Sequence, residues 1–256
     1  MPRKEIEGKQ FVAAVKPLLL AAAPRVPDDA AMILVAGPRK PLLPHEVKEI
    51  RDYLARGGRA LFLLDPASDP GLAPVLADYR ITLGDDMIVD REQIPFLGAR
   101  LGLDPIVEDF PPHPVTKDFK ERIVLFQARS VQARTEGGLP GVEAQPIART
   151  RPSSWAVADY RKMIETGKVE RGPGDTDGPV SVAVAARRAP PAAGEGGKEK
   201  DAADEPGTRL VVIGDADLAE NAHLTEFFNE EFLLNAVAWL GGREDLVAER
   251  PKGVRP

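Results

Sequence analysis

The feature that most constrains this chain is a strand–helix–strand–helix–strand rhythm within residues 27–90. Residues 32–36 form a short, unbroken aliphatic run that Gly37 and Pro38 end. Such a run reads as a strand buried on both faces. Pro44 then opens a helix, and Glu46 lies in its first turn, where an acid suits the helix dipole. Val47, Ile50, Tyr53 and Leu54 recur at helical spacing and give it one apolar face. Gly57 and Gly58 close it, where a positive φ is wanted. Residues 60–64 repeat the buried-strand pattern up to Asp65 and Pro66. A second helix over 71–79 carries Leu72, Val75 and Leu76, and a third strand spans 87–89. Strands alternating with helices pair in parallel through right-handed crossovers. The expectation is an α/β fold of Rossmann-like type, with a mostly parallel sheet and helices on both faces.

The rhythm then changes. Residues 91–151 contain proline-rich turns around Phe110 and His113 and the short strand candidates 123–126, 130–133 and 142–148. A further strand is expected at 180–186, and a short helix after Ser153, Ser154 and Trp155, with serine as its cap. Without clearly amphipathic helices, this middle section is expected to be antiparallel. Residues 189–207 have almost no large apolar side chain and read as a mobile loop. The end returns to α/β. Residues 210–213 form a buried strand, Gly214, Asp215, Ala216 and Asp217 follow, and a helix is expected over 226–240. The organisation is therefore 1–90, first part of the α/β domain; 91–188, a β-rich insertion or sheet extension; 189–207, the loop; and 208–256, the closing strand and helix.

Composition removes several function classes. The net charge is −6, and no basic stripe exists to meet nucleic-acid phosphates. The absence of cysteine excludes thiol nucleophiles, disulfides and thiolate metal sites. With only His45, His113 and His223 present, a histidine-rich zinc site is not expected. No run reaches the roughly 18 apolar residues of a membrane helix, and the N-terminus is a poor match to a signal peptide. The chain is expected to be soluble, and to be compatible with a piece cut from a membrane protein.

Ligands of open α/β sheets bind at the carboxyl ends of the strands. Asp65, Asp215 and Asp217 stand at two such ends, and Asn221 and His223 follow closely. Three carboxylates there could bind a divalent cation. Equally, an aspartate after a buried strand accepts backbone N–H bonds and caps the turn. Glycine-rich phosphate loops and the Gly-x-Ser-x-Gly elbow are both missing. No catalytic set, metal or cofactor is expected. Trp155 and Trp239 are candidate anchors of a partner surface, with burial in the core as the plainer alternative.

Residues along the whole chain resemble a known family. Val26 to Ala30, Gly37 and Pro38, Pro44 to Glu46, and Tyr53 to Gly58 are similar to the GldG-type auxiliary proteins of gliding-motility and related ABC-type transport systems. So are Asp65 with Pro66, His113 to Thr116, Gln127 to Ser130, Ser154 with Trp155, and residues 178–183. The closing pattern is the most distinctive: Val211 to Asp215, Asn221, Asn229, Asn235, Trp239 and Leu240. The likeness covers about residues 26–251 and rests on order and spacing rather than one motif. It implies a Rossmann-like domain related to class I glutamine amidotransferases and to an intraflagellar-transport domain. The amidotransferase nucleophile is a cysteine, so that activity does not carry over. It further implies a non-catalytic accessory domain on the extracytoplasmic (periplasmic) face of the inner membrane. Its partners would be ABC permease and ATPase subunits and an exported substrate, and its membrane segments would lie outside these residues. Against the family's pattern, the opening strand and helix before Phe11 are expected to be shortened or missing. Two other readings stay open: a metal- or aspartate-dependent hydrolase using Asp65, Asp215, Asp217 and His223, and a small-molecule or glycan sensor with an apolar pocket at the sheet's switch point.

Overall fold

The computed structural model describes residues 14–22, 25–90, 102–189, 207–244 and 247. Residues 190–206, most of the expected mobile loop, and the family's expected opening elements before Phe11 lie outside the described residues.

In chain order the elements are β1 (Ile33–Ala36), α1 (Pro44–Ala55), β2 (Arg59–Leu63), α2 (Ala73–Asp78), β3 (Ile81–Leu83), β4 (Met87–Asp90), β5 (Ile106–Asp109), β6 (Ile123–Val124), β7 (Val131–Ala133), β8 (Val142–Thr150), β9 (Ser154–Val157), α3 (Tyr160–Thr166), β10 (Thr176–Asp177), β11 (Ser181–Arg188), β12 (Thr208–Ile213) and α4 (Asn229–Leu240). The main sheet has seven strands in the order β1-β2-β12-β11-β8-β5-β6. Smaller sheets join β10-β9-β4 and β3-β7.

The expected α/β class holds, but the mostly parallel sheet does not. Among the described residues only β1 with β2 and β2 with β12 pair in parallel. The pairings of β12 with β11, β11 with β8, β8 with β5, and β5 with β6 are all antiparallel. Parallel neighbours need a crossover, usually a helix. The section 102–188 has α3 as its one α-helix, and the buried residues of α3, Tyr160 and Met163, pack with the small sheet. The strands of that section therefore turn back on themselves and extend the sheet antiparallel.

The strand at residues 87–89 is corrected too. β4 leaves the main sheet and pairs antiparallel with β9, Val89 opposite Trp155. Between α2 and β4 lies β3, which pairs with β7 through Thr82 and Gln132. The helix expected after Ser153 is also displaced. Residues 154–157 are strand, Ser154 donates to Arg151 O at 2.7 Å, and the helix starts only at Tyr160. The aromatic and β-branched residues Trp155 and Val157 suit a pleated, buried surface better than a helix start.

Strand alternation divides the core. Leu61, Leu63, Val211 and Ile213 face α4, meeting Phe232, Ala236 and Trp239. Ala60, Phe62, Leu64, Leu210 and Val212 face the other way, onto Ile50, Tyr53 and Leu54 of α1 and Val75 and Leu76 of α2. Helices thus cover both faces of the parallel part. α1 begins at Pro44 as expected, and Leu43 N–H donates to Glu46 Oε2 at 2.7 Å.

Candidate functional site: the strand-end carboxylates

The three parallel strands end side by side, and this places the candidate carboxylates. Gly37 N–H donates to Leu63 O, and Leu64 N–H to Ile213 O, each at 2.9 Å, so the pairing runs one residue past each strand. Asp65 then follows β2, and Asp215 and Asp217 follow β12. Ligand atoms of these three side chains lie within 4.8 Å of one another. Gly37 makes room for them. Its φ is +53°, and a Cβ there would come 3.2 Å from Asp65 Oδ2.

Each inner carboxylate already has a backbone partner. Asp65 Oδ1 accepts from Ala216 N–H at 2.6 Å. Asp215 Oδ2 accepts from Phe126 N–H and its Oδ1 from Asp217 N–H, both at 2.7 Å. Asp215 has no solvent exposure. Burial outweighs the two N–H donors and pushes its carboxyl up to about 8. Asp65 is raised as well, by burial and by the charges of Asp217 and Glu220. Asp215 is thus a neutral acid near pH 7, and a cation would have to displace its proton. The geometry serves best as a clasp that joins the ends of β2 and β12 to the loop at Phe126.

A residue that sequence reasoning did not single out completes the clasp. Arg129 is 7% exposed, and it donates to Gly84 O at 2.7 Å, Ser68 O at 2.9 Å and Asp65 O at 3.2 Å. Its backbone N–H donates to Gly214 O at 2.8 Å. A Cβ at Gly214 would come 2.1 Å from Arg129 O, so only glycine fits there. Arg129 is an arginine in a loop, and its sequence carries no period or motif to mark burial.

The remaining candidates are placed elsewhere. His223 stacks on the Phe126 ring at 3.7 Å and meets Glu226 Oε1 at 3.3 Å, so it touches the clasp only through Phe126. Asn221 is exposed on the turn before it. Trp155 and Trp239 are 1% and 3% exposed, so both rings sit in the core. Arg171 covers the Trp155 ring at 4.5 Å and Arg209 the Trp239 ring at 5.1 Å. A cleft of about 300 Å³ lies beside His113 and Trp239, with Glu143, Arg187, Arg209 and Glu244 among its lining side chains.

Among curated proteins no significant relative was found. Among solved structures, the mmIFT52 N-terminal domain superposes with a TM-score of 0.54 at 14% identity, over 81% of this chain and 76% of that one. A thua-like protein from Bacteroides uniformis ATCC 8492 gives a TM-score of 0.39 at 15% identity, over 82% of this chain and 69% of that one. The first likeness shows a shared fold. The family of auxiliary proteins described as the ABC-type uncharacterized transport system matches residues 6–238, nearly the whole chain, and this protein belongs to it.

Proposed function

We propose that this chain is a non-catalytic, extracytoplasmic accessory domain of an ABC-type transport system of the gliding-motility, GldG-like type. It acts by binding a partner protein or the exported substrate. The observation that carries the reading is the family match over residues 6–238. The clasp geometry is compatible with it, because Asp65 Oδ1 and both oxygens of Asp215 accept backbone N–H bonds that join the strand ends. The partners are the permease and ATPase subunits of the same system, and the location is the periplasmic face of the inner membrane. Among the described residues no helix is long and apolar enough to cross a membrane, so attachment is assigned to other segments. Two experiments test this. The tagged protein, cross-linked in its native cells, is expected to co-purify with an ABC permease and ATPase. An alkaline phosphatase fusion is expected to be active, as it is only outside the cytoplasm. Recovery of neither subunit, or an inactive fusion, overturns the respective part.

A second reading, an aspartate- or metal-dependent hydrolase, is favoured by one observation: the 4.8 Å convergence of Asp65, Asp215 and Asp217. It requires saturable binding of Mn²⁺ or Mg²⁺ that Asp217→Asn abolishes. Calorimetry showing no heat of binding retires it.

A further inference from the structure

The cleft beside α4 is built around an unusual row of charges. In register across four strands stand Glu143 (β8), Arg187 (β11), Arg209 (β12) and Arg59 (β2). Like charges directly opposite one another on a sheet are destabilising. Two of the three arginines have a structural reason to be there. Arg59 donates to Leu240 O and Arg209 to Trp239 O, each at 2.7 Å, so both cap the negative end of α4. Arg187 has no such duty. Its partner is Glu143, with Nη2 at 2.7 Å from Oε2, and both side chains are 68% exposed. An ion pair so exposed is weakly held.

Next to this row the sheet has a small residue, Ala185, opposite Gln145, and the cleft of about 300 Å³ opens over it. His113 forms its wall, edge-on to the Trp239 ring at 4.8 Å. The Nδ1 atom of His113 accepts from Val115 N–H at 3.1 Å, so the neutral ring carries its proton on Nε2. Among the described residues nothing accepts from Nε2. Burial, then the charges of Arg187 and Arg209, push this imidazole down to about 4, and it stays a neutral donor at ordinary pH.

We infer that this cleft is a binding site for a carboxylate-bearing ligand with an apolar body, gripped by Arg187, Arg209 and the Nε2–H of His113 and resting against Pro114 and Ala144, above the buried Ala185 and Trp239. Carboxylates already match both guanidinium groups, Glu143 on Arg187 and Glu244 on Arg209, the latter at 2.8 Å. The ligand replaces Glu143 on Arg187 and adds the acceptor that His113 lacks. The site is separate from the strand-end carboxylates and does not rest on the transport reading.

The test is a titration of the full chain with benzoate, following the histidine side-chain NMR signals. Benzoate is expected to shift the His113 signals saturably and to raise the pH at which His113 titrates, as a nearby anion favours imidazolium. Glu143→Gln, which frees Arg187, is expected to tighten binding. Arg187→Ala, at a side chain too exposed to matter for folding, is expected to weaken it about tenfold or more. A saturable benzoate shift that both variants move in these directions upholds the site. Equal shifts from the neutral benzyl alcohol, or affinity unchanged by Arg187→Ala, overturn it. Inorganic phosphate binding as tightly as benzoate overturns the carboxylate preference.

Discussion

Asp215 sits where a charge is costly, and its stability effect has a definite sign. In the unfolded chain an aspartate ionises near pH 4. In the folded protein burial holds the proton on until about 8. Between those values the folded state binds more protons, so stability falls as pH rises through this window. Asp65, raised for the same leading reason, adds in the same direction. Asp215→Asn is expected to flatten this part of the profile, seen as a smaller drop in the urea midpoint from about pH 5 to about pH 8. An unchanged drop would show that Asp215 ionises freely in the folded state. Gly214 gives a second prediction at this scale. Gly214→Ala places a methyl 2.1 Å from Arg129 O, a backbone atom of a residue whose own N–H donates to Gly214 O at 2.8 Å. Overpacking of this kind costs about 1–3 kcal/mol, measurable in the same urea titration.

At the scale of elements, α4 is held at its C-terminus by two arginines from neighbouring strands. Each hydrogen bond from a charged donor to a carbonyl contributes about 1.5–3 kcal/mol. The two groups also repel, and the charge of Arg209, after burial, lowers the basicity of Arg59. Removing either relieves the other. Arg59→Gln and Arg209→Gln are therefore each expected to destabilise, and the double variant to lose more than the sum, by about 0.5 kcal/mol or more, because both single variants already gain the relief of the repulsion. Strict additivity in a double-mutant cycle would refute the coupling. The contrast between α1 and the region after Ser153 belongs to this scale as well. α1 was legible because Pro44, the apolar stripe and Gly57 all agree with one helix. β9 was not, because a serine pair before a tryptophan fits a cap and a strand equally well, and pairing with β4 decides between them.

Across the whole molecule, the small sheet shares the main core. Ile88 of β4 and Ala156 of β9 pack with Ile213 and Phe232, while Val89 and Trp155 pack against α3 residues. A shared core couples the two sheets into one cooperative unit. In each of two variants, one keeping only Trp155 and one only Trp239, the fluorescence midpoint is expected to coincide with that variant's own far-UV circular dichroism midpoint. Separate midpoints would show that the small sheet melts alone.

The sequence by itself determined the elements whose information is local. These are the two buried strands with their helix in residues 33–63, the closing strand and helix, and the placement of carboxylates at strand ends. Hydrophobic period, a proline and a few glycines suffice for these, since each acts within a turn or a strand length. Only the tertiary structure decided the rest. Strand direction across β11, β8, β5 and β6 depends on which distant segment supplies the neighbour, and residues far apart in the chain choose it. The same holds for the site. That Asp215 is a neutral acid, that Arg129 is buried among carbonyls, and that three arginines line up across neighbouring strands, two of them beside His113, are facts of register and burial, and no single stretch of sequence carries them.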